Sequence, residues 1–102
     1  MVLITAPSPE VGAQIADALL SAKLVACVNI VPAVNSLYTW QGAVHNDAET
    51  LLIVKTTAAV FQEKLVPAVQ ALHPYDVPEI IALPILMGSQ PYLDWIAESV
   101  SA

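Results

Sequence analysis

Hydrophobic and polar positions along this chain switch between two periods, and the switches mark its elements. Val2-Leu-Ile-Thr-Ala6 predicts a short strand, stopped by Pro7, which lacks a backbone donor. Ser8-Pro9-Glu10 then starts a helix, with Ser as cap, Pro at the first helical position and Glu at the positive dipole end. Val11, Ile15, Ala18, Leu19 and Ala22 follow at helical spacing. The β-branched run from Leu24 to Val31 predicts a second strand. Pro32 interrupts it with a bulge or an edge position before Ser36 to Trp40 resumes extended structure.

Gln41-Gly42 predicts a reversal, with a return strand from about Ala48 to Thr56. Thr57 caps a second helical stripe of Phe61, Leu65, Ala68, Val69 and Leu72. Pro67 lies inside that stripe, where it predicts a kinked or split helix. Val77 to Met87 reads as a fourth main strand, with Pro84 favouring an edge. Ser89 opens a last short helix, striped by Tyr92, Leu93, Ile96 and Val100.

Strand, helix, strand, strand, helix, strand and a short terminal helix make one α+β domain over residues 1–102, a ferredoxin-like split βαβ arrangement. Its two main helices cover one face of the sheet, so the other face should be polar. It is not: LVACVNIV, LLIVK and EIIALPI are largely apolar on both faces. Either that face packs against copies of the same chain, which is the expectation, or the fold is a different one.

Composition sharpens this reading. Hydrophobic residues make up 57% of the chain and charged residues only 12%, too few to coat a monomer. The net charge is −6, and Lys23, Lys55 and Lys64 are the only strong cations. Nucleic acid and anionic membrane surfaces need clustered cations, so both are excluded as partners. One cysteine rules out an internal disulfide and suits a reducing compartment. MVLITAP has no basic leader, and the apolar run Ile80 to Met87 is far short of the roughly 20 residues of a membrane helix. A soluble, cytoplasmic protein is expected.

No nucleophile elbow, phosphate loop, CxxC or HExxH is present, so no enzymatic reaction is expected. Three features could still carry chemistry. His45, Asp47 and Glu49 share one face of an extended strand and could ligate a divalent ion, or could simply be a solvated hairpin end. Cys27 could bind a soft metal, although a thiol on an apolar strand is more often inert. Finally, His73, Tyr75, Asp76 and Glu79 crowd into LHPYDVPEIIALPI, while Lys55 interrupts LLIVKTT and needs a partner such as Glu79. With Tyr38 and Trp40 these could line a small-molecule pocket, or form no more than a buried ion pair beside a proline-fixed corner.

LVACVNIVP, SLYTWQG, LLIVKTT, LHPYDVPEIIALPI and YLDWI, in that order and spacing, resemble the CutA divalent-cation-tolerance family over almost the whole chain. The resemblance implies a cytosolic homotrimer whose sheets pack around the three-fold axis, with a non-enzymatic role in tolerance of copper and other divalent cations. The bound cofactor would be a divalent metal ion, with Cu2+ the first candidate, held by His73 and Glu79. By analogy with the similarly built PII signalling proteins, Tyr38, Trp40, Lys55 and Tyr75 would face an inter-subunit cleft. Copper-associated members carry a first-strand cysteine and a His-His pair before Pro-Tyr. Here those positions hold Ile4 and Leu72-His73, so only His73 of that set is present.

Overall fold

A computed structural model describes residues 1–101 of the protein. Strand β1 (Val2–Ala6) leads into helix α1 (Pro9–Ser21), whose cap Ser8 accepts a hydrogen bond from Val11 N–H at 3.2 Å. Strands β2 (Cys27–Trp40) and β3 (Ala43–Lys55) form a long hairpin. An irregular helical stretch, Ala58–Val60 then Phe61–Leu65, leads to α2 (Val66–Leu72), short β4 (Ile80–Ala82) and α3 (Gln90–Ser99). The strands form one antiparallel sheet in the order β2-β3-β1-β4, the order of a ferredoxin-like split βαβ fold.

Alternation in the strands selects the face that forms the core. Val2 and Ile4 of β1 and Leu52 and Val54 of β3 bury themselves against Ile15 and Leu19 of α1 and Leu65 and Val69 of the second helical segment. Full burial of each such side chain is worth about 1.5–3 kcal/mol. The opposite face carries Leu3, Val31, Leu51, Ile53 and Ile81, none of them fully buried. The predicted two-sided apolar sheet is therefore present, with helices on one side.

The second strand starts at Cys27 rather than Leu24, and the return and fourth strands depart further from the sequence reading. The return strand begins at Ala43 rather than near Ala48, because Gln41 and Gly42 take left-handed conformations (φ 51° and 80°) and close a two-residue turn directly under Trp40↔Ala43. The polar stretch His45 to Glu49 is therefore strand, in the distal arm of the hairpin, with Asn46 to Ala48 exposed to solvent and Glu49 buried. The fourth strand is far shorter than Val77 to Met87. Only Ile80 to Ala82 pair with β1, extended by Leu83 N–H donating to the Met1 carbonyl at 2.8 Å. Pro78 and Pro84 have no N–H to continue the ladder in either direction. Beyond them Leu86 and Met87 stand 84% and 83% exposed.

Pro67 splits the second helix as predicted, and the residues before it show how. Val66 N–H reaches back five residues to the Phe61 carbonyl, widening the turn. Pro67 then falls in the first turn of α2, where its missing N–H costs little.

Candidate functional site

A bulge decides which side chains face the site. Val31 pairs with Leu51 and Val34 with Glu49, so one extra residue is inserted in β2 at Pro32-Ala33. Pro32 sits on an edge strand, and its carbonyl accepts the Thr50 hydroxyl at 3.2 Å. The extra residue reverses the parity of β2. Before the bulge odd-numbered residues share the open face with Leu51 and Ile53; after it Val34, Ser36, Tyr38 and Trp40 do. Tyr38 and Trp40 thereby join His45, Asp47 and Glu49 on one surface.

On that surface Tyr38 lies flat against His45, with ring centroids 5.3 Å apart, and donates its hydroxyl to Asp47. That hydrogen bond raises the pKa of Tyr38 above the ordinary tyrosine range. His45 and Asp47 are thus bridged by a tyrosine rather than free to converge on an ion. Among the described residues no three His, Cys, Asp or Glu side chains come together as a metal site.

The corner after α2 closes the other wall. His73 is 8% exposed, and its Nε2 lies 2.7 Å from the Thr5 carbonyl oxygen. Its Nδ1 accepts the Tyr75 backbone N–H at 3.1 Å, so the proton sits on Nε2, which donates to Thr5. Both ring nitrogens are committed, and neither offers a lone pair to a metal in this arrangement. His73 ties the chain after α2 to β1 and turns Tyr75 into place, with the two rings 4.7 Å apart. The reading of His73 as a ligand, from its place between helix and prolines, did not include Thr5, because a backbone carbonyl 68 residues away leaves no mark in the sequence.

Tyr75 completes the corner by donating its hydroxyl to Glu49 Oε2 at 3.0 Å. Glu49 is 8% exposed, and this tyrosine bond joins residues 26 apart in the chain. Burial of the hydroxyl, then the hydrogen bond to Glu49 and the charge of that carboxylate, push Tyr75 up to about 12. A raised tyrosine pKa means that the unfolded chain releases this proton first, from about pH 10. The stabilisation is therefore complete below pH 10 and declines as pH rises from about 10 to about 12. In a spectrophotometric titration of the native protein, the last tyrosinate to appear should vanish in Tyr75→Phe and come earlier in Glu49→Gln. An unaltered curve in Glu49→Gln would contradict the coupling.

Tyr38, Trp40 and Tyr75 line a cleft of about 640 Å³ together with Thr5, Glu49, Asp76 and Glu79. Three of the four predicted cleft aromatics and cations thus meet within one chain, and Lys55 does not. Lys55 pairs with Cys27 at the C-terminal end of β3, six residues from the cleft residue Glu49, about 20 Å at strand rise. Its ammonium goes to Asn29 Oδ1, which also lies 3.9 Å from Cys27 Sγ. The expected Lys55–Glu79 ion pair is replaced by this contact, because Glu79 is exposed and precedes β4, across β1 from β3 and level with Thr5 and Leu51, four positions along the strand from Lys55. Cys27 is likewise remote from the cleft. A second groove of about 430 Å³, bounded by Phe61, Leu83, Ile85 and Leu93, has no charged side chain.

The family described as CutA1 divalent ion tolerance protein matches residues 1–99. The chain is 58% identical over 99 residues to the divalent-cation tolerance protein CutA of Thermus thermophilus, covering 97% of this chain and 95% of that protein. It is 48% identical to the chloroplastic CutA protein of Arabidopsis thaliana, over 97% of this chain and 54% of that longer one. Among solved structures, the Thermus thermophilus protein superposes with a TM-score of 0.94 at 56% identity, over 98% of this chain and 96% of that one. The Archaeoglobus fulgidus CutA, described as periplasmic, gives 0.93 at 43% identity, again over 98% and 96%. Relatives thus carry chloroplastic and periplasmic labels, and no single compartment is common to them. Among the described residues of this chain, no helix is long and apolar enough to cross a membrane.

Proposed function

The chain belongs to the CutA1 divalent ion tolerance family, and from that premise we propose that it serves divalent-cation tolerance by binding ions as a cytoplasmic homotrimer, without catalysis. The observation that carries this reading is the set of carboxylates on one cleft. Glu49, Asp76 and Glu79 line it, and none of the three lysines does. Oxygen donors of this kind suit divalent ions, and the apolar second face of the sheet supplies the surface for self-association. The carboxylates of one chain do not converge into a finished site, so donors from a neighbouring copy complete the coordination. Glu79 remains the first-choice ligand, being exposed at the cleft, whereas His73 acts by holding the corner. A copper-selective centre built on His73 would require the Tyr75 contact to open.

Native mass spectrometry of the metal-stripped protein tests this. We expect a species near three times 10.8 kDa that takes up a fixed, saturable number of Cu(II) or Zn(II) ions. Glu79→Gln should weaken that uptake about tenfold or more. Saturable uptake unaffected by Glu79→Gln would move the site elsewhere, and unselective adducts alone would remove metal binding from the function.

A further inference from the structure

The cleft is far larger than a bare metal ion needs, and its walls are partly aromatic. Its volume of about 640 Å³ falls in the range of small-molecule pockets. Glu49 lies in its lining, more than nine-tenths buried, and its hydrogen bond comes from a neutral tyrosine. A buried carboxylate without a cation beside it is costly, and no lysine of this chain lines the cleft. Around it stand Trp40, Tyr38 and Tyr75. Each tyrosine has one ring against a histidine, whereas among the described residues Trp40 stacks on no other ring. Aromatic faces beside carboxylates attract a cation with an organic body, because the ring quadrupole and the carboxylates draw the charge while the walls cover the carbon atoms.

We propose that this cleft binds a small organic cation bearing an ammonium group, with Glu49 as its counter-charge and Trp40 as its stacking wall. An anionic metabolite is disfavoured by the same geometry, because the cation it would need, Lys55, lies at the far end of β3. The inference shares only the carboxylates with the metal reading and concerns a different ligand. Asp76 and Glu79, nearer solvent, would take a second ammonium group of a longer diamine.

The test is isothermal titration of the metal-stripped trimer, in EDTA-containing buffer, with tetramethylammonium and with putrescine, against sodium chloride and butanol as controls. We expect saturable binding of at least one ammonium probe and none of butanol. Glu49→Gln, which keeps a partner for the Tyr75 hydroxyl, should weaken binding about tenfold or more, and Trp40→Leu about fivefold or more. Circular dichroism checks that both variants are folded. Heat matched by sodium chloride, or affinity unchanged in both variants, would overturn the inference. Saturable Cu(II) uptake in amine-free buffer without ammonium binding would likewise overturn it and leave the metal reading standing. Ammonium binding without metal uptake would support it while removing the other.

Discussion

If the parent runs near three times 10.8 kDa, as proposed, the variant Ile53→Asp should run as a single chain near 10.8 kDa under the same conditions. Ile53 stands in the middle of the sheet face that no helix covers, with Leu3 of β1 on one side and Asn29 of β2 on the other. Leu51, Val31 and Ile81 extend that apolar surface in each direction. If copies of the chain pack through this face, a carboxylate at its centre must leave water, at an effective cost of several kcal/mol per copy. Within the chain the change costs little, because the core uses Leu52 and Val54 on the other face of β3. Native mass spectrometry and far-ultraviolet circular dichroism separate the two effects. A monomer with unchanged secondary structure is the expected pair of results. A trimer that survives Ile53→Asp would place the association on the exposed run through Leu86 and Met87 instead, and Leu86→Asp would then be the disruptive change.

The same face shows what the sequence makes legible and what it hides. A strand apolar at successive positions predicts an apolar surface on both sides of the sheet, and LLIVK carries that message without any tertiary knowledge. The helix start at Ser8-Pro9 and the turn at Gln41-Gly42 are local chemistry, readable from a few residues. The bulge at Pro32-Ala33 is only half legible. Proline marks the irregularity, but whether one residue or none is inserted decides on which face Tyr38 and Trp40 emerge, and that depends on pairing with Leu51 and Glu49. The long apolar run after Pro78 misleads for a related reason. Its composition is that of a strand, yet β1 has only five residues to pair with. Side-chain type located the cleft aromatics and Glu79; the partner of Lys55 and the anchor of His73 lie far away in sequence and were set by topology.

His73→Ala should lower the unfolding free energy by about 2–4 kcal/mol at matched chain concentration, while leaving the proposed saturable uptake of divalent ions unchanged. The ring is buried, and its removal leaves the Thr5 carbonyl and the Tyr75 N–H without partners at a closed corner. Each unsatisfied buried group costs about 1–3 kcal/mol, less where water can enter the space left by the ring. A positioning role and a ligating role diverge at His73→Gln. The amide of that substitution can still donate towards Thr5, so about half of the lost stability should return, but it is a poor ligand for Cu(II). Urea denaturation reads the first effect and native mass spectrometry the second. Recovery of stability with uptake intact would fix His73 as the fastener between α2 and β1. Normal stability with uptake abolished in both variants would mean that the Tyr75 contact opens on binding, and that the imidazole is a metal ligand after all.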